Sequence, residues 1–338
     1  MIDALTSIPR LDLAFTPTPL EPLDRLSALL GGPRIWIKRD DCTGLATGGN
    51  KTRKLEFLMG DARSKGADTV ITYGAVQSNH ARQSAAACAK LGFECHLILS
   101  RRVTWRHTEY ETSGNVLLDR LLGAQVHLAE PANVEAVSRT LIDQLTRDGK
   151  RCYVVPTGGS NAIGALGYMR CATEIVDQSR EIGFHPDLIV HATSSGGTQA
   201  GLVAGLLAER SDCAVLGINV YDTDHARLER RIARLLEETL SYANLMTDAP
   251  TRPRIAHDFL GEDYGIPTRQ TIDAIKTLAT TEGILTDPVY SGKALGGLFA
   301  MIRRNDLTSC NNAVFVHTGG AASLPVYTSA FAPDQRYE

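Results

Sequence analysis

The feature of this 338-residue chain that most restricts its fold is a regular alternation of short apolar runs with longer helix-like segments. Apolar runs lie at residues 69–73, 95–99, 125–128, 152–155, 187–192, 214–220 and 313–317. Helix-like segments lie within residues 16–31 and near 79–91, 113–122, 132–147, 223–245 and 268–281. Strands and helices that alternate at this spacing predict parallel sheet with crossover helices, so the pattern indicates an α/β protein.

Composition and charge exclude several classes of function. Hydrophobic residues make up 43% and charged residues 22% of the chain, as in ordinary globular proteins. A net charge of -3 argues against a nucleic-acid binder, and the short basic cluster of Arg101, Arg102 and Arg106 is expected to be a solvated loop. The sequence has no apolar run of about twenty residues that could span a membrane.

Cysteine and histidine usage indicates the compartment. The seven cysteines are scattered without a Cys-x-x-Cys pair, and the nine histidines lack the spacing of metal ligands. The first ten residues lack the basic start and apolar run of a signal peptide. We therefore expect a cytoplasmic protein with reduced thiols and without a metal site.

A lysine at the start of a helix-like segment is the first candidate for chemistry. Lys51 follows two glycines and Asn50, and it opens a segment that runs to about Arg63. Such a lysine lies close to helix amides that attract an anion, and its amine can form a Schiff base with an aldehyde cofactor. A glycine turn before a solvated helix is the simpler interpretation of these residues alone.

A second candidate is the small-residue stretch at residues 193–201, which follows the apolar run 187–192 and opens a helix-like segment. Uncovered backbone amides at a helix N-terminus suit a phosphate. The spacing matches neither the GxGxxG fingerprint nor the Walker A loop, so the phosphate need not belong to a dinucleotide or to ATP. A glycine turn that caps a core helix is the alternative.

Polar residues also follow strands at residues 74–82, 287–293 and 317–320. Ser78 and Asn79 either cap the next helix or receive a substrate carboxylate, and Tyr290 and Thr318 have simple packing or capping alternatives. The carboxyl ends of parallel strands converge on one crevice, which is where open α/β sheets bind ligands. Five polar or glycine-rich stretches are expected to meet there, at residues 47–56, 74–82, 193–201, 287–293 and 317–320. One of them presents Lys51, and this is the pattern expected of a pyridoxal phosphate site.

Five motifs give the chain a specific resemblance. They are Gly-Gly-Asn-Lys-Thr-Arg-Lys-Leu-Glu, Gln-Ser-Asn-His-Ala-Arg-Gln, Gly-Gly-Thr-Gln-Ala-Gly, Leu-Thr-Asp-Pro-Val-Tyr-Ser-Gly-Lys and His-Thr-Gly-Gly-Ala. In this order they resemble the family of 1-aminocyclopropane-1-carboxylate deaminase, D-cysteine desulfhydrase and L-cysteate sulfo-lyase, from about residue 17 to residue 325. The resemblance implies the tryptophan synthase β-like fold of pyridoxal phosphate enzymes, fold type II, with mostly parallel sheets flanked by helices.

The resemblance also implies the domain organisation and the roles of residues. A large cofactor-binding domain comprises residues 1–52 and 161–338, a small domain comprises residues 53–160, the active site lies in the cleft between them, and the protein is a homodimer. The residues implied to bind pyridoxal 5'-phosphate are Lys51 through its amine, Asn50 at the phenolic oxygen, and Lys54, Ser195, Gly196, Gly197 and Thr198 at the phosphate. Our own hypothesis is that Thr318 lies at the ring nitrogen. The residues implied to act on the substrate are Ser78, Asn79 and His80 at its carboxylate, with Lys51, Ser78, Tyr264 and Tyr290 on the reacting side.

Two positions differ from the cyclopropane-opening deaminases of this family. Those enzymes carry a glutamate directly after the tyrosine of the Val-Tyr motif and a leucine in the His-x-Gly-Gly motif, where this chain has Ser291 and Thr318. A neutral hydroxyl beside the pyridine nitrogen favours an unprotonated ring and a weaker electron sink. Since a weaker sink suits loss of a good leaving group from Cβ, we expect α,β-elimination rather than ring opening.

The expected substrate is a small β-substituted amino acid. D-cysteine would give pyruvate, ammonia and sulfide, whereas L-cysteate would give pyruvate, ammonia and sulfite. A sulfonate requires additional donors, for which the candidates are Thr47, Arg101, Arg102 and His107. The alternatives are a cyclopropane-opening deaminase, a β-replacement transferase of the cysteine synthase type, a nicotinamide oxidoreductase on a similar sheet, and a cofactor-binding protein without turnover.

Overall fold

The structure is a computed structural model that describes residues 5–105, 107–245 and 252–332, so Arg106 of the basic cluster lies outside the described residues. Its strands are β1 (Leu20–Pro22), β2 (Arg34–Lys38), β3 (Thr69–Ala75), β4 (Glu94–Ser100), β5 (Gln125–Ala129), β6 (Cys152–Val155), β7 (Leu188–Thr193), β8 (Ala214–Asn219), β9 (Arg254–Ala256) and β10 (Asn312–Val316). They form a six-stranded sheet in the order β1-β2-β10-β7-β8-β9 and a four-stranded sheet in the order β5-β4-β3-β6. Within these sheets β1 runs antiparallel to β2 and the other pairs are parallel, as the alternation predicted.

Helices flank both sheets. They are α1 (Asp24–Leu30), α2 (Lys51–Ser64), α3 (Asn79–Leu91), α4 (Gly114–Leu121), α5 (Val134–Arg147), α6 (Ala162–Ile182), α7 (Gly197–Ala208), α8 (His225–Tyr242), α9 (Arg269–Glu282) and α10 (Ser291–Arg303). Glycines let α6 approach its neighbours closely: a Cβ on Gly167 would lie 2.3 Å from the carbonyl oxygen of Arg53 in α2. In the described part of the chain, none of the helices combines the length and hydrophobicity required to cross a membrane.

The central strands of the larger sheet are covered on both faces. In β7, Ile189 and Val190 are fully buried, and in β10 the consecutive residues Val314, Phe315 and Val316 are fully buried as well. Parallel strands covered on both sides require apolar residues at every position rather than at alternate ones. This requirement explains why residues 188–190 and 313–316 are continuously apolar.

Three elements were not predicted from the sequence, namely α10, β1 and β9. The helix α10 contains Gly292, Gly296 and Gly297, and glycine is among the weakest helix formers. Packing explains one of these glycines, because a Cβ on Gly292 would lie 2.5 Å from the carbonyl oxygen of Asp287. The strands β1 and β9 have three residues each and lie at the two edges of their sheet, where short strands and proline are tolerated.

The two sheets use different parts of the chain. The strands of the four-stranded sheet lie within residues 69–155, and those of the six-stranded sheet lie within residues 20–38 and 188–316. The helix α2 begins at Lys51 and continues to Ser64, so it crosses the position expected for the first domain boundary. The exact boundaries at residues 52 and 160 stay a prediction.

Candidate active site

A cavity of about 840 Å³ is lined by strand ends from both sheets. The four-stranded sheet contributes Ala75 at the end of β3 and Ser100 at the end of β4, and the six-stranded sheet contributes Thr193 at the end of β7. All three strands therefore point their carboxyl ends at the same space. This is the crevice in which parallel α/β sheets bind ligands.

The cavity brings together almost all the site residues predicted from the sequence. Those that line it are Asn50, Lys51, Lys54, Ser78, Asn79, His80, Ser195, Gly196, Thr198, Tyr264, Tyr290 and Thr318. The exception is Gly197, which lies directly behind the wall, where an added Cβ would approach Nζ of Lys54 to 3.0 Å. Residues separated by more than 260 positions in the chain thus share one space.

Lys51 projects from the first residue of α2. The loop before it requires glycine: Gly48 has a φ of 70°, and a Cβ there would lie 1.9 Å from the carbonyl oxygen of Asp41. The amine of Lys51 donates to Oδ1 of Asn50 at 2.9 Å. Burial lowers the pKa of this amine to about 8, although the nearby Asp287 carboxylate acts in the opposite direction. Much more of the amine is therefore neutral at physiological pH than in an ordinary lysine.

Lys54 lies one helical turn after Lys51 and is 1% exposed. Its amine donates to the carbonyl oxygen of Gly158 and to Oγ of Ser160, both at 3.2 Å. Burial and the neighbouring Lys51 lower the pKa of this amine well below its ordinary value, and no carboxylate of the described residues pairs with it. A buried amine that has only neutral partners is a natural site for an anion.

The loop of residues 195–198 lies against Lys54. It opens α7, and its Gly196 has a φ of 97°, a conformation that favours glycine. A Cβ on Gly197 would lie 2.7 Å from Oγ of Ser160, so any larger residue would fill the space beside the lysine. Thr198 accepts a hydrogen bond from Nδ2 of Asn50 at 3.1 Å. Two motifs that are far apart in sequence, at residues 47–56 and 193–201, therefore join at the cavity wall.

Ser78 and Asn79 lie at the start of α3. The hydroxyl of Ser78 accepts from the backbone N–H of Ala81 at 3.1 Å, which makes it the N-cap that the simpler interpretation expected. Oδ1 of Asn79 accepts from Nδ2 of Asn115 at 3.0 Å. Both residues also line the cavity, so the amino end of α3 and its partial positive charge face the same space as Lys51.

His80 is buried, and its surroundings disfavour the charged form of its ring. One ring nitrogen, Nε2, lies 2.8 Å from Oγ1 of Thr72, while Nδ1 is buried without a partner among the described residues. Burial, with the charges of Lys51 and Lys54, lowers the pKa of the imidazole well below its ordinary value. A neutral ring with one free nitrogen can accept or donate one hydrogen bond inside the cavity.

Tyr264 and Tyr290 meet through their hydroxyl groups at the cavity wall. The rings form an edge-on pair with centroids 5.7 Å apart. Burial raises the pKa of each phenol, and the neighbouring Tyr290 raises that of Tyr264 further. Both hydroxyls therefore stay protonated at neutral pH, so that the pair presents a proton donor to the cavity.

The chain matches known proteins over nearly its full length. Residues 11–319 match the family model described as pyridoxal-phosphate dependent enzyme. The D-cysteine desulfhydrase of Serratia proteamaculans is 43% identical over 328 residues, which is 96% of this chain and 97% of that protein.

The chain belongs to the family of pyridoxal-phosphate-dependent enzymes. A crystal structure of an ACC deaminase homologue is 37% identical, with a TM-score of 0.88 over 97% of each chain. A threonine deaminase from T.th. is 19% identical with a TM-score of 0.62, over 95% of this chain and 94% of that one, and it supports the fold. These likenesses confirm the predicted fold type II, and the family confirms the predicted cofactor.

The cavity of this pyridoxal-phosphate-dependent enzyme fits its cofactor. A phosphate would compensate the buried and otherwise unpaired amine of Lys54, and the space beside Gly197 is kept open by the absence of a side chain. The hydroxyl of Thr193 is buried at the same wall and has no partner among the described residues. Lys51 supplies an amine of lowered pKa that can bond to the aldehyde group.

Thr318 and Ser291, the two positions that distinguish this chain from the deaminases, lie in different surroundings. Thr318 lines the cavity, and its backbone carbonyl oxygen accepts from the backbone N–H of Asn50 at 3.1 Å. Ser291 is fully buried behind the wall, where its hydroxyl accepts from the backbone N–H of Asp287 at 3.0 Å. Its single hydroxyl hydrogen lies between two acceptors, Oδ1 of Asp287 at 2.6 Å and the carbonyl oxygen of Gly319 at 2.9 Å. Ser291 therefore holds the loop that carries Thr318.

The four side chains considered for a sulfonate have different positions. Thr47 accepts a hydrogen bond from the buried Arg82, and Arg101 is exposed and pairs with Glu111 at 2.7 Å. His107 lines a smaller cavity of about 360 Å³, which Arg101 also lines. The remaining candidate, Arg102, lines the main cavity, so the expectation of a wholly solvated basic loop was wrong for this residue.

Three residues at or next to the cavity had no role assigned from the sequence, namely Tyr221, Arg231 and Asp287. Tyr221 directly follows the apolar run 214–220, so the rule that strand ends line the crevice would have found it. Arg231 lies inside a predicted polar helix and carried no signal. The carboxylate of Asp287 accepts the backbone N–H groups of Val289 and Tyr290, each at 2.9 Å, and so holds the tyrosine motif in place.

Proposed function

We propose that this pyridoxal-phosphate-dependent enzyme is a carbon–sulfur lyase that catalyses α,β-elimination from a small β-substituted amino acid. The substrate is D-cysteine, which yields pyruvate, ammonia and sulfide, or L-cysteate, which yields pyruvate, ammonia and sulfite. The observation that carries the proposal is that two buried lysines line one cavity. Lys51 has an amine of lowered pKa, and Lys54 has no acidic partner among the described residues. The chain that presents them is 43% identical to a D-cysteine desulfhydrase.

Residues on one side of the cavity hold the cofactor in this proposal. Lys51 bonds to it through its amine, and Asn50, which already donates to Thr198, contacts its phenolic oxygen. Lys54, with the loop of Ser195, Gly196, Gly197 and Thr198, binds the phosphate, and the hydroxyl of Thr318 is directed at the ring nitrogen. When bound, the cofactor supplies an electron sink that acidifies the α-hydrogen of the substrate.

Residues on the other side bind and orient the substrate. Ser78 and Asn79, with the backbone amides at the start of α3, receive the substrate carboxylate, and His80 contributes its free ring nitrogen. The amine of Lys51 would accept the proton from Cα. Tyr264 and Tyr290, whose hydroxyls stay protonated, lie where they can donate to the departing sulfur, and Ser78 lies near the reacting carbon.

The experiment that tests this proposal measures the products formed from three amino acids. The purified enzyme with bound cofactor is incubated with D-cysteine, L-cysteate and 1-aminocyclopropane-1-carboxylate, and keto acid, sulfide and sulfite are quantified. We expect pyruvate together with an equimolar sulfur product from at least one of the sulfur compounds, and no product from the Lys51→Ala variant. Formation of 2-oxobutyrate alone would instead identify a cyclopropane-opening deaminase, which the likeness to an ACC deaminase homologue makes the second candidate.

We also propose the expected domain organisation, in which residues 1–52 and 161–338 form a large domain and residues 53–160 a small one. The proposal is supported by the distribution of the strands, since each sheet draws its strands from one of these parts. Limited proteolysis checks it: we expect early cleavage near residue 160, and cleavage inside β3 or β7 would contradict it.

We further propose that the enzyme is a cytoplasmic homodimer. All seven cysteines are free, which agrees with a reducing compartment. Leu117 and Leu121 lie four residues apart in α4 and are 46% and 73% exposed, so they offer an apolar face for a second subunit. Light scattering of the purified protein should give twice the mass of one chain, and a mass of one chain would contradict the dimer.

A further inference from the structure

Arg102 is a cationic side chain of the cavity for which the cofactor has no use. It lies two residues after the end of β4, and its guanidinium carbon is 4.3 Å from the ring centroid of Tyr221 and 5.3 Å from that of Tyr264. It donates a hydrogen bond to the hydroxyl of Tyr221. Among the described residues, no carboxylate lies within 4.0 Å of its guanidinium nitrogens. Arg102 therefore retains donors and a charge that are not neutralised by another side chain.

Tyr221 fixes the direction of this arginine. Its ring also lies 5.9 Å from the guanidinium carbon of Arg231, whose Nη2 donates to the carbonyl oxygen of Ser194 at 2.7 Å. Arg231 additionally lies 3.6 Å from the carboxylate of Asp222, so its charge is partly compensated. The two arginines differ in this respect, because Arg231 supports the wall while Arg102 is available to a ligand.

The charges that line the cavity are unbalanced. Its basic side chains are Lys51, Lys54, Arg102 and Arg231, and its acidic side chain is that of Asp263. The cofactor accounts for the two lysines, and Asp222 partly compensates Arg231. A carboxylate bound at the start of α3 would leave Arg102 unpaired. An unpaired cation at the cavity wall favours ligands that carry a second negative group.

Arg102 is also adjacent to the proposed reacting side. Its guanidinium packs on the ring of Tyr264, and the hydroxyl of Tyr264 meets that of Tyr290. A substrate with its carboxylate at Ser78 and its α-carbon near Lys51 would direct its β-substituent at this pair of tyrosines. The free donors of Arg102 then lie next to that substituent, in the position where a guanidinium recognises a sulfonate or carboxylate.

We propose that Arg102 and Tyr221 form a second anion subsite, and that the enzyme prefers amino acids whose β-substituent is itself anionic, such as a sulfonate. This inference rests on the proposed function and selects among its substrates. In the net reaction the Cα–H and Cβ–S bonds break, the C–S electron pair leaves with sulfite, and a proton is released from Cα. Water then hydrolyses the resulting enamine, after tautomerisation, to pyruvate and ammonia, and no oxidant or reductant is consumed.

A binding experiment tests the subsite separately from turnover. The ligands are 3-sulfopropanoate, which carries two anions, and butanoate, which has a methyl group in place of the sulfonate; neither has an amine that can react with the cofactor. We expect the enzyme with bound cofactor to bind 3-sulfopropanoate about 10- to 100-fold more tightly than butanoate in titration calorimetry. The Arg102→Met variant should lose this preference, and Arg102→Lys should keep part of it.

The matched control is Arg101→Met, since Arg101 is the adjacent residue but is exposed and paired with Glu111. This variant should keep the full preference. Equal binding of the two ligands by the unmodified enzyme would overturn the inference. So would a preference that survives Arg102→Met in a protein with an unchanged circular dichroism spectrum. Equal weakening of both ligands by that variant would also overturn it, because Arg102 would then bind the shared carboxylate.

Kinetics distinguish this inference from the proposed function. We expect Arg102→Met to raise KM for L-cysteate about tenfold or more with a much smaller effect on KM for D-cysteine. If the enzyme forms pyruvate from D-cysteine and shows no preference for the dianion, the proposed anion subsite is wrong and the proposed lyase activity is supported. If neither sulfur compound gives pyruvate, the lyase is wrong, and the ligand titration still decides whether the subsite exists.

Discussion

The buried amine of Lys54 lies 3.2 Å from the carbonyl oxygen of Gly158 and has no acidic partner among the described residues. Folding alone gains little from a charge in this position, because burial disfavours the ionised amine and neutral partners compensate it only in part. A cofactor phosphate bound beside Lys54 would supply the negative charge that this buried amine lacks.

The first prediction follows from this relationship. Lys54→Met should weaken the binding of pyridoxal phosphate about 10- to 100-fold, because charge-assisted hydrogen bonds to the phosphate are lost. Binding of pyridoxal, which lacks the phosphate, should change little. Absorbance titration of the cofactor-free protein with both compounds measures the two affinities, and an equal loss for both would show that Lys54 does not act on the phosphate.

The second prediction concerns the protonation of Lys51. Its pKa is lowered to about 8 by burial, so the reactive neutral amine appears at lower pH than in exposed lysines, whose pKa is about 10.4. In the cofactor-free protein, modification of Lys51 by an amine-directed reagent should therefore be half-maximal near pH 8. Peptide mass spectrometry across a pH series measures this, with exposed lysines as internal controls. A profile that coincides with theirs would contradict the lowered pKa.

The third prediction concerns the tyrosine pair. Tyr290→Phe removes one of the two hydroxyls that meet at the cavity wall, and we expect kcat for elimination to fall about 100-fold or more, because proton transfer to the departing group is lost. Tyr242→Phe is the control, since that side chain is 42% exposed and lies in α8. Steady-state pyruvate formation distinguishes them. A Tyr290→Phe enzyme with unchanged kcat would assign the tyrosine to packing alone.

The fourth prediction concerns Ser291. Its hydroxyl makes two buried hydrogen bonds, to Asp287 and Gly319, so Ser291→Ala should lower the free energy of unfolding by about 1–3 kcal/mol. Ser291→Glu should cost more, because it buries a second carboxylate beside Asp287. Ser64→Ala, at an exposed position, is the control and should change stability by less than about 0.5 kcal/mol. Denaturant unfolding measures all three, and a fully stable Ser291→Glu protein would contradict the packing described for this site.

Much of the fold and of the candidate site was predictable from local sequence. Residues 188–190 and 313–316 are apolar at every position because both faces of β7 and β10 are covered, and such runs are easily recognised. The rule that parallel strands end at one crevice then placed residues 193–201 beside Lys51, and the cavity contains both. These inferences succeed because they depend on periodicity and chain direction rather than on the details of packing.

What the sequence did not reveal depends on contacts between distant residues. The helix α10 forms although it contains three glycines, and one of them, Gly292, permits a close approach to the backbone of Asp287 that propensity does not describe. The sequence predicts Arg102 to be part of a solvated basic cluster, whereas the ring of Tyr221, 119 positions later, holds it at the cavity. Ser291 directly follows the cavity residue Tyr290, yet it is fully buried behind the wall.

The central claim is that Lys51 carries the cofactor of a lyase, and borohydride reduction followed by peptide mapping tests it most directly. The enzyme with bound pyridoxal phosphate should lose its visible absorbance on reduction, and the peptide that contains Lys51 should gain the mass of one reduced cofactor. A protein whose Lys51 peptide keeps its original mass, or whose added mass lies on another lysine, would contradict the account.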